Sequence, residues 1–172
     1  MSHCKLLFFG LLSSVMVAML SCQPRGVADQ QHYQRVQDDA ALLNENEEDS
    51  LTYLSEVLEK SIGSQLAIIT IDSLAGEKIE TFSLRRAMAM GLGRKNFDDG
   101  LLITVSRYDR QIRMEVGIGL ELIIRDEIAS RINRNIIAPK FREEKYYQGL
   151  AAGVKEITRL IQDNRQLVGQ AP

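Results

Sequence analysis

The chain has 172 residues, with 21 lysines and arginines against 23 aspartates and glutamates and a formal net charge of −2. This length suffices for one good hydrophobic core. The slightly acidic balance offers no electrostatic footprint for nucleic acid, so we expect no nucleic-acid partner. Both histidines, His3 and His32, lie near the N-terminus. Histidine-dependent catalytic triads and zinc sites built from histidine and cysteine are therefore not expected.

The first predicted element is a secretory signal peptide over residues 1–21. Lys5 precedes an apolar run, Leu6–Leu20, and a small residue stands just before Cys22, which is the layout of an exported chain. Residues 19–22 resemble the bacterial lipobox and predict a lipidated Cys22, followed by a polar tether over 22–35. Cleavage by ordinary signal peptidase and an uncleaved anchor are the alternatives. A lipid on Cys22 would place the protein in the cell envelope, membrane-anchored on the exported side, in the periplasm or at the cell surface.

Hydrophobic periodicity predicts helices that alternate with short apolar strands in the rest of the chain. We expect Ser50 to cap the first helix, Gly63 to stop it and Pro139 to end the third helix. The predicted elements, in chain order, are a helix over 50–62, a strand over 66–71, a helix over 77–90, a β-hairpin over 101–116, a helix over 126–136 and a helix over 147–163. This order predicts an α/β fold, a three-layer α/β/α sandwich with a small mixed β-sheet containing the hairpin. The mixed charged and aromatic segment 139–147 is expected to cap the core, with a partner-binding surface as the alternative.

The predicted hairpin has a register that follows from its alternation. A turn centred on residues 108–109 pairs Leu101, Ile103 and Val105 with Val116, Met114 and Ile112 on one apolar face. The same register places Asp98 and Asp99 beside residues 117–121. Carboxylates from two separate sequence positions should therefore meet at one edge of the sheet.

Several segments, in order, resemble the TPM domain family, which is named for a thylakoid photosystem-repair protein and a nematode receptor-associated protein. The segments are Val36-Gln37-Asp38, residues 63–70, Ser73-Leu74, Gly91-Leu92-Gly93-Arg94-Lys95, Asp98-Asp99-Gly100, the run Asp109-Arg110 with 113–121, residues 139–142 and residues 146–150. The resemblance implies a TPM-like domain over 36–165, followed by a tail over 166–172. Two departures are Met90, where the family often has tryptophan, and Asp98, where asparagine is common.

The acidic end of the hairpin is the leading candidate metal site. Its candidate ligands are Asp98, Asp99, Glu115, Glu121 and Asp126. Oxygen-only ligands favour a hard divalent cation, Ca²⁺ or Mg²⁺, and members of the TPM family have been described as binding divalent cations. Alternatively, Arg94, Lys95 and Arg113 intervene between the carboxylates, with Glu115 paired to Arg113. A secondary cleft formed by Asp72 and Asp109 is expected if the first two strands are parallel.

Three functions remain open from the sequence. The first is a membrane-tethered protein that binds a divalent cation and acts as an accessory factor for assembly, repair or modulation of a membrane-protein complex, as the resemblance implies. The second is a metal-dependent acid-phosphatase-like hydrolase, an activity attributed to a plant member of the family, with Lys95 or Arg113 contacting phosphate. No catalytic nucleophile is evident for it. The third is an envelope docking module without a metal.

Overall fold

The structure, a computed structural model, describes residues 33–170. The predicted signal peptide, Cys22 and most of the predicted tether lie outside the described residues. The described strands are β1 (Val36–Asp38), β2 (Gln65–Ile71), β3 (Gly100–Ser106) and β4 (Gln111–Val116). The helices are α1 (Glu45–Ile62), α2 (Ile79–Met90), α3 (Asp126–Ile132), a π-helix (Asn133–Ile137), α4 (Ala138–Arg142) and α5 (Tyr146–Asp163), with two short 3₁₀-helices at Ile118–Leu120 and Arg165–Leu167.

The four strands form one mixed sheet in the order β1-β2-β3-β4. β1, β2 and β3 are parallel, and β4 returns antiparallel to β3 as the second half of the hairpin. Ile103 pairs with Met114, so the predicted hairpin register is confirmed. The turn spans residues 107–110. Consequently β4 is the edge strand on one side of the sheet, and the carboxyl ends of the three parallel strands share one edge.

Helices cover both faces of the sheet, which confirms the predicted α/β fold. The larger core packs α1 and α5 against one face, where Leu66, Ile68 and Ile103 point. Ala67, Ile69 and Leu102 point to the opposite face, where Ser83 of α2 donates a hydrogen bond to Thr104 at 2.9 Å. β2 and β3 are buried on both faces, as continuous apolarity predicts.

The first helix begins earlier than predicted. α1 starts at Glu45, and Asn44 is its N-cap. The Asn44 side chain accepts a hydrogen bond from the Glu47 backbone, and the Glu47 carboxylate accepts one from the Asn44 backbone, which completes a capping box. The prediction that Ser50 caps this helix was wrong, because Ser50 lies inside α1 and donates to the Asn46 carbonyl at 2.7 Å.

The third predicted helix does not end before Pro139. After α3 the chain continues through the π-helix into α4, where Pro139 occupies a position in the first turn. Proline cannot donate the N–H of a regular helical hydrogen bond, and the π-helical turn directly before it is where the regular α-helical pattern is interrupted. Helical structure therefore runs from Asp126 to Arg142, and the prediction that Pro139 terminates the helix was wrong.

Both ends of the described chain lie against the domain. Tyr33 is buried, and Arg35 forms an ion pair with Glu59 of α1. At the other end the Gly169 N–H donates to the Gly119 carbonyl at 2.9 Å, and Val168 packs against the larger core. Among residues 33–170, no helix is both long enough and apolar enough to cross a membrane.

Candidate functional site

The backbone at the acidic hairpin end is held by two close glycine contacts. Gly117 donates to the Gly100 carbonyl at 2.8 Å, and Gly119 donates to the Asp98 carbonyl at 3.1 Å. A Cβ on Gly119 would lie 1.7 Å from the carbonyl oxygen of Phe97, so only glycine permits this approach. The structure thus brings Asp98 beside residues 117–119, as the register predicts.

Asp99 is fully buried and engaged within the fold. Its Oδ2 accepts hydrogen bonds from Arg94 Nη2 at 2.6 Å and Nε at 2.9 Å, and its Oδ1 accepts one from the Arg94 backbone at 2.8 Å. Ser64 Oγ adds a fourth hydrogen bond at 3.2 Å. Arg94 also stacks on Phe97, with its guanidinium carbon 4.1 Å from the ring centroid. A buried carboxylate needs such compensation, and here Arg94 supplies it, as one sequence alternative anticipated.

Asp98 differs from its neighbour. Its side chain is exposed, and its backbone adopts a left-handed conformation with a φ of 48°. Within the described residues it makes no side-chain hydrogen bond or ion pair. The two adjacent aspartates therefore have different roles, since Asp99 stabilises the loop before β3 while Asp98 faces solvent.

Three of the predicted metal ligands surround one cavity of about 540 Å³ beside β4. These ligands are Glu115, Glu121 and Asp126. Glu127 also lines the cavity, although the sequence analysis did not predict it. We call this the acidic cavity; Arg113 and Arg125 also line it. As they stand, no three acidic, histidine or cysteine side chains of residues 33–170 are grouped closely enough to hold a metal ion.

Arg113 and Lys95, the two predicted phosphate contacts, differ in their interactions. Arg113 Nε donates to the Glu115 carboxylate at 3.1 Å, so its charge is already partly neutralised. This pairing was the second sequence alternative for the acidic end. Lys95 is exposed in the loop between α2 and β3. Among the residues described, Arg113 beside the acidic cavity is paired with Glu115, whereas Lys95 has no ion-pair partner and lies in the same loop as Asp98 and Asp99, outside the lining of the cavity.

Asp72 and Asp109, the two residues of the predicted secondary cleft, lie at the carboxyl edge of the parallel strands. Asp109 Oδ2 accepts hydrogen bonds from the Leu74 backbone at 2.7 Å and from Ser106 Oγ at 2.5 Å. The Asp72 carbonyl accepts from the Tyr108 backbone at 2.9 Å. Asp72 and Asp109 therefore belong to the same edge, where Asp109 connects the β3–β4 turn to the loop after β2.

Hydrogen bonding also perturbs the acidity of Asp109. The Ser106 hydroxyl, followed by the Leu74 and Ser73 groups, stabilises the ionised form and holds the pKa of Asp109 below its ordinary value. Asp38, at the end of β1, was not predicted as part of this edge. It accepts hydrogen bonds from the Thr70 hydroxyl and, at 2.8 Å, from the Leu43 backbone. Asp38 is the last residue of the three-residue strand β1, which is too short for a sequence pattern to reveal it.

These features define an α/β/α domain with an acidic cavity at one end of β4 and a hydrogen-bonded carboxylate edge at the other. The family model for the TPM domain matches residues 36–160. The chain belongs to the TPM domain family.

Solved structures support the same fold. The N-terminal domain of a P. gingivalis protein, determined by NMR in solution, is similar with a TM-score of 0.71 and 28% identity, covering 78% of this chain and 85% of that one. BA42 from the psychrophilic bacterium Bizionia argentinensis has a TM-score of 0.62 at 16% identity, with coverages of 70% and 82%. The N-terminal domain of the cg2496 protein from Corynebacterium glutamicum has a TM-score of 0.60 at 13% identity, with both coverages at 89%. A comparison with curated proteins found no match.

Proposed function

We propose that this chain is a membrane-tethered TPM-domain accessory protein that acts by binding, and that its acidic cavity takes a divalent cation, Ca²⁺ or Mg²⁺. The observation that carries the cation proposal is the set of four carboxylates around one cavity, three of them predicted from sequence. The partner we propose is a membrane-protein complex, which the protein would help to assemble, repair or modulate.

The charges around the cavity favour a cation. Glu115 is paired with Arg113, whereas the other three carboxylates, Glu121, Asp126 and Glu127, are exposed and make no hydrogen bond or ion pair within the described residues. Arg125 is the remaining cation of the lining. Exposed carboxylates can rotate towards a shared ion, and Ca²⁺ accepts six to eight oxygens, including water, in irregular geometry. A site of this kind would be weak, because the side chains must be ordered on binding.

The tether limits where a partner can be. The ten residues 23–32 separate Cys22 from the buried Tyr33, and the eleven Cα-to-Cα steps between the two span at most about 40 Å when the chain is fully extended. A lipid on Cys22 would therefore keep the domain within this distance of the bilayer. Membrane proteins and their assembly intermediates lie within that reach.

Calorimetric titration of Ca²⁺ and Mg²⁺ into the chain from Gln23 onward tests the cation proposal. We expect saturable binding that is lost in the double variant Glu121→Gln and Asp126→Asn. The matched control is Glu45→Gln with Asp49→Asn, which removes the same two charges from the exposed start of α1. Equal loss in both variants would indicate diffuse attraction of ions to an acidic protein, and absence of binding by folded wild type would refute the site.

Labelling with a fatty-acid analogue tests the tether. The full-length chain should incorporate the label and fractionate with membranes, whereas Cys22→Ser should remain unlabelled. Membrane association that persists without label in the variant would mean an uncleaved anchor. Release of both proteins into the soluble fraction would mean ordinary cleavage, and either result would contradict the lipid tether.

A further inference from the structure

A second cavity, of about 430 Å³, lies at the opposite end of β4 from the acidic cavity. It opens between the β3–β4 turn and the segment that joins α4 to α5. Three arginines line it, Arg107 and Arg110 from the turn and Arg142 from the end of α4. We call it the arginine pocket. No step of the proposed cation binding uses it.

The charges of the arginine pocket are unbalanced. Arg107 donates to the Ala40 carbonyl at 3.2 Å, and within the described residues Arg110 and Arg142 have no ion-pair partner. Glu144 is the one acidic side chain of the lining. Asp109 is adjacent in sequence, but its carboxylate accepts from Leu74 and Ser106. Clustered guanidinium groups with a single opposing carboxylate create a positive potential that an anion would relieve.

The rest of the lining is largely apolar. Phe141 and Tyr146 pack edge to face with ring centroids 5.1 Å apart, and Leu42 and Ile112 complete the wall. A Cβ on Gly149 would lie 2.9 Å from the Phe141 ring, so the missing side chain lets Phe141 lie against α5. Apolar walls with a few convergent polar groups are typical of small-molecule sites.

Two charged residues of the lining have left-handed backbones. Arg110 has a φ of 53° and Glu144 a φ of 57°. This conformation is unfavourable for residues other than glycine, asparagine and aspartate. Arg110 closes the β3–β4 turn and Glu144 follows the end of α4, two positions where a left-handed residue reverses the chain, so these turns set the points from which both side chains leave the backbone.

We propose that the arginine pocket binds a small organic carboxylate, a monoanion that carries a compact apolar group. The carboxylate would lie between Arg110 and Arg142, since the guanidinium fork matches a carboxylate in two parallel hydrogen bonds. The apolar group would contact Phe141 and Ile112. Glu144 opposes a second negative charge, which favours a monoanion over a dianionic phosphate. The cation proposal concerns the other end of β4, so either site can fail without the other.

Amide chemical-shift titration of the chain from Gln23 tests the pocket with phenylacetate as the probe. We expect saturable shifts in residues 107–112 and 141–146, weaker binding of phenyl phosphate, and no comparable binding of inorganic phosphate or benzyl alcohol. Inorganic phosphate binding as tightly as phenylacetate would overturn the proposal, because the apolar wall would then contribute nothing. Failure of phenylacetate to bind the folded protein would also overturn it.

Variants separate binding from folding. Arg142→Gln and Arg110→Asn should each weaken phenylacetate binding about tenfold, the expected loss of one charge-assisted interaction. Arg110→Asn should fold at least as stably as wild type, because asparagine tolerates the left-handed backbone. Lys95→Gln, the control, removes one positive charge from the loop between α2 and β3 and should leave affinity unchanged. Equal affinities in Arg142→Gln and this control would refute the assignment.

One variant should improve binding. Glu144→Gln removes the single acidic group of the lining, so phenylacetate should bind several-fold more tightly and phenyl phosphate should gain more than phenylacetate does. A residue with a purely structural role would not produce this selective gain. Unchanged or reduced affinity for both anions would contradict the electrostatic argument.

Discussion

The Arg94–Asp99 ion pair makes a strong prediction, because Asp99 is fully buried while Asp98 beside it is exposed. Replacing Arg94 with methionine removes two of the four hydrogen bonds to the carboxylate and leaves a buried charge with only Ser64 and one backbone N–H. Removing one partner of a buried pair costs about 3–5 kcal/mol. The Arg94 side chain retains 35% of its exposure, so water screens the pair and we expect about 3 kcal/mol. Asp99→Asn should cost less, roughly 1–3 kcal/mol, since the freed Arg94 can turn to water.

Urea unfolding followed by circular dichroism measures these differences as shifts of the midpoint at unchanged slope. Asp98→Asn is the matched control and should lie within about 0.5 kcal/mol of wild type, because asparagine tolerates the left-handed backbone. The loss of stability in each variant should not depend on whether Ca²⁺ or a chelator is present. The reason is that Arg94, rather than a metal ion, compensates the charge of Asp99. An Arg94→Met protein as stable as wild type, or an Asp98→Asn protein less stable than Asp99→Asn, would refute this reasoning.

Three further predictions concern the backbone and the carboxyl edge. Gly119→Ala should lower the free energy of unfolding by more than about 2 kcal/mol, because the added methyl group clashes with Phe97. Gly76→Ala is the control: there is open space around it, and it should cost only about 1 kcal/mol because its φ is positive. Equal losses in the two variants would contradict the steric argument. Asn44→Ala should lower the free energy of unfolding, measured in urea, by about 1 kcal/mol, and Ser50→Ala should leave it almost unchanged. A larger loss in Ser50→Ala than in Asn44→Ala would contradict the assignment of Asn44 as the N-cap. Because the pKa of Asp109 is lowered in the folded state, its stabilisation is present above about pH 4 and is lost as the pH falls through the folded pKa. Asp109→Asn should therefore flatten the acid limb of a stability–pH curve, and an unchanged limb would count against these hydrogen bonds.

The hairpin was predictable because its constraints are local. Period-2 alternation and a four-residue turn leave one register that places Met114 opposite Ile103, since a slip of one residue would turn the buried Met114 of β4 to the other face of the sheet. The parallel pairing of β2 with β3 followed from the helix between them. The layers and the strand pairing could therefore be read from patterns that span only a few tens of residues.

The helix boundaries and β1 were harder to predict. The apolar stripe of α1 begins at Leu51, so the pattern pointed to Ser50, although the residues of the capping box at Asn44 and Glu47 were present in the sequence. The π-helix before Pro139 has no pattern in the sequence that distinguishes it from an α-helix. β1 has only three residues, too few for alternation to be visible.

The candidate site was the part of the structure that was hardest to predict, because its composition depends on the direction in which each side chain points. Register brought the Asp98–Asp99 loop to residues 117–121, but sequence gave no means of telling that Asp99 turns inward to Arg94 while Asp98 turns outward. Glu127 joins the acidic cavity because the chain turns after β4 and brings the start of α3 beside it. The arginine pocket combines a turn with a segment more than 30 residues later, and no spacing in the sequence reveals that proximity.

A bound paramagnetic ion can be located in the chain by the NMR signals that it broadens. Mn²⁺ added in small amounts to the ¹⁵N-labelled chain from Gln23 broadens amide signals near its binding site. We expect early broadening at residues 121–127 and at Glu115, and full recovery when excess Ca²⁺ displaces the Mn²⁺. Broadening that begins instead at Asp38, Asp72 and Asp109, or spreads evenly over exposed carboxylates such as Glu45, would contradict a cation site in the acidic cavity.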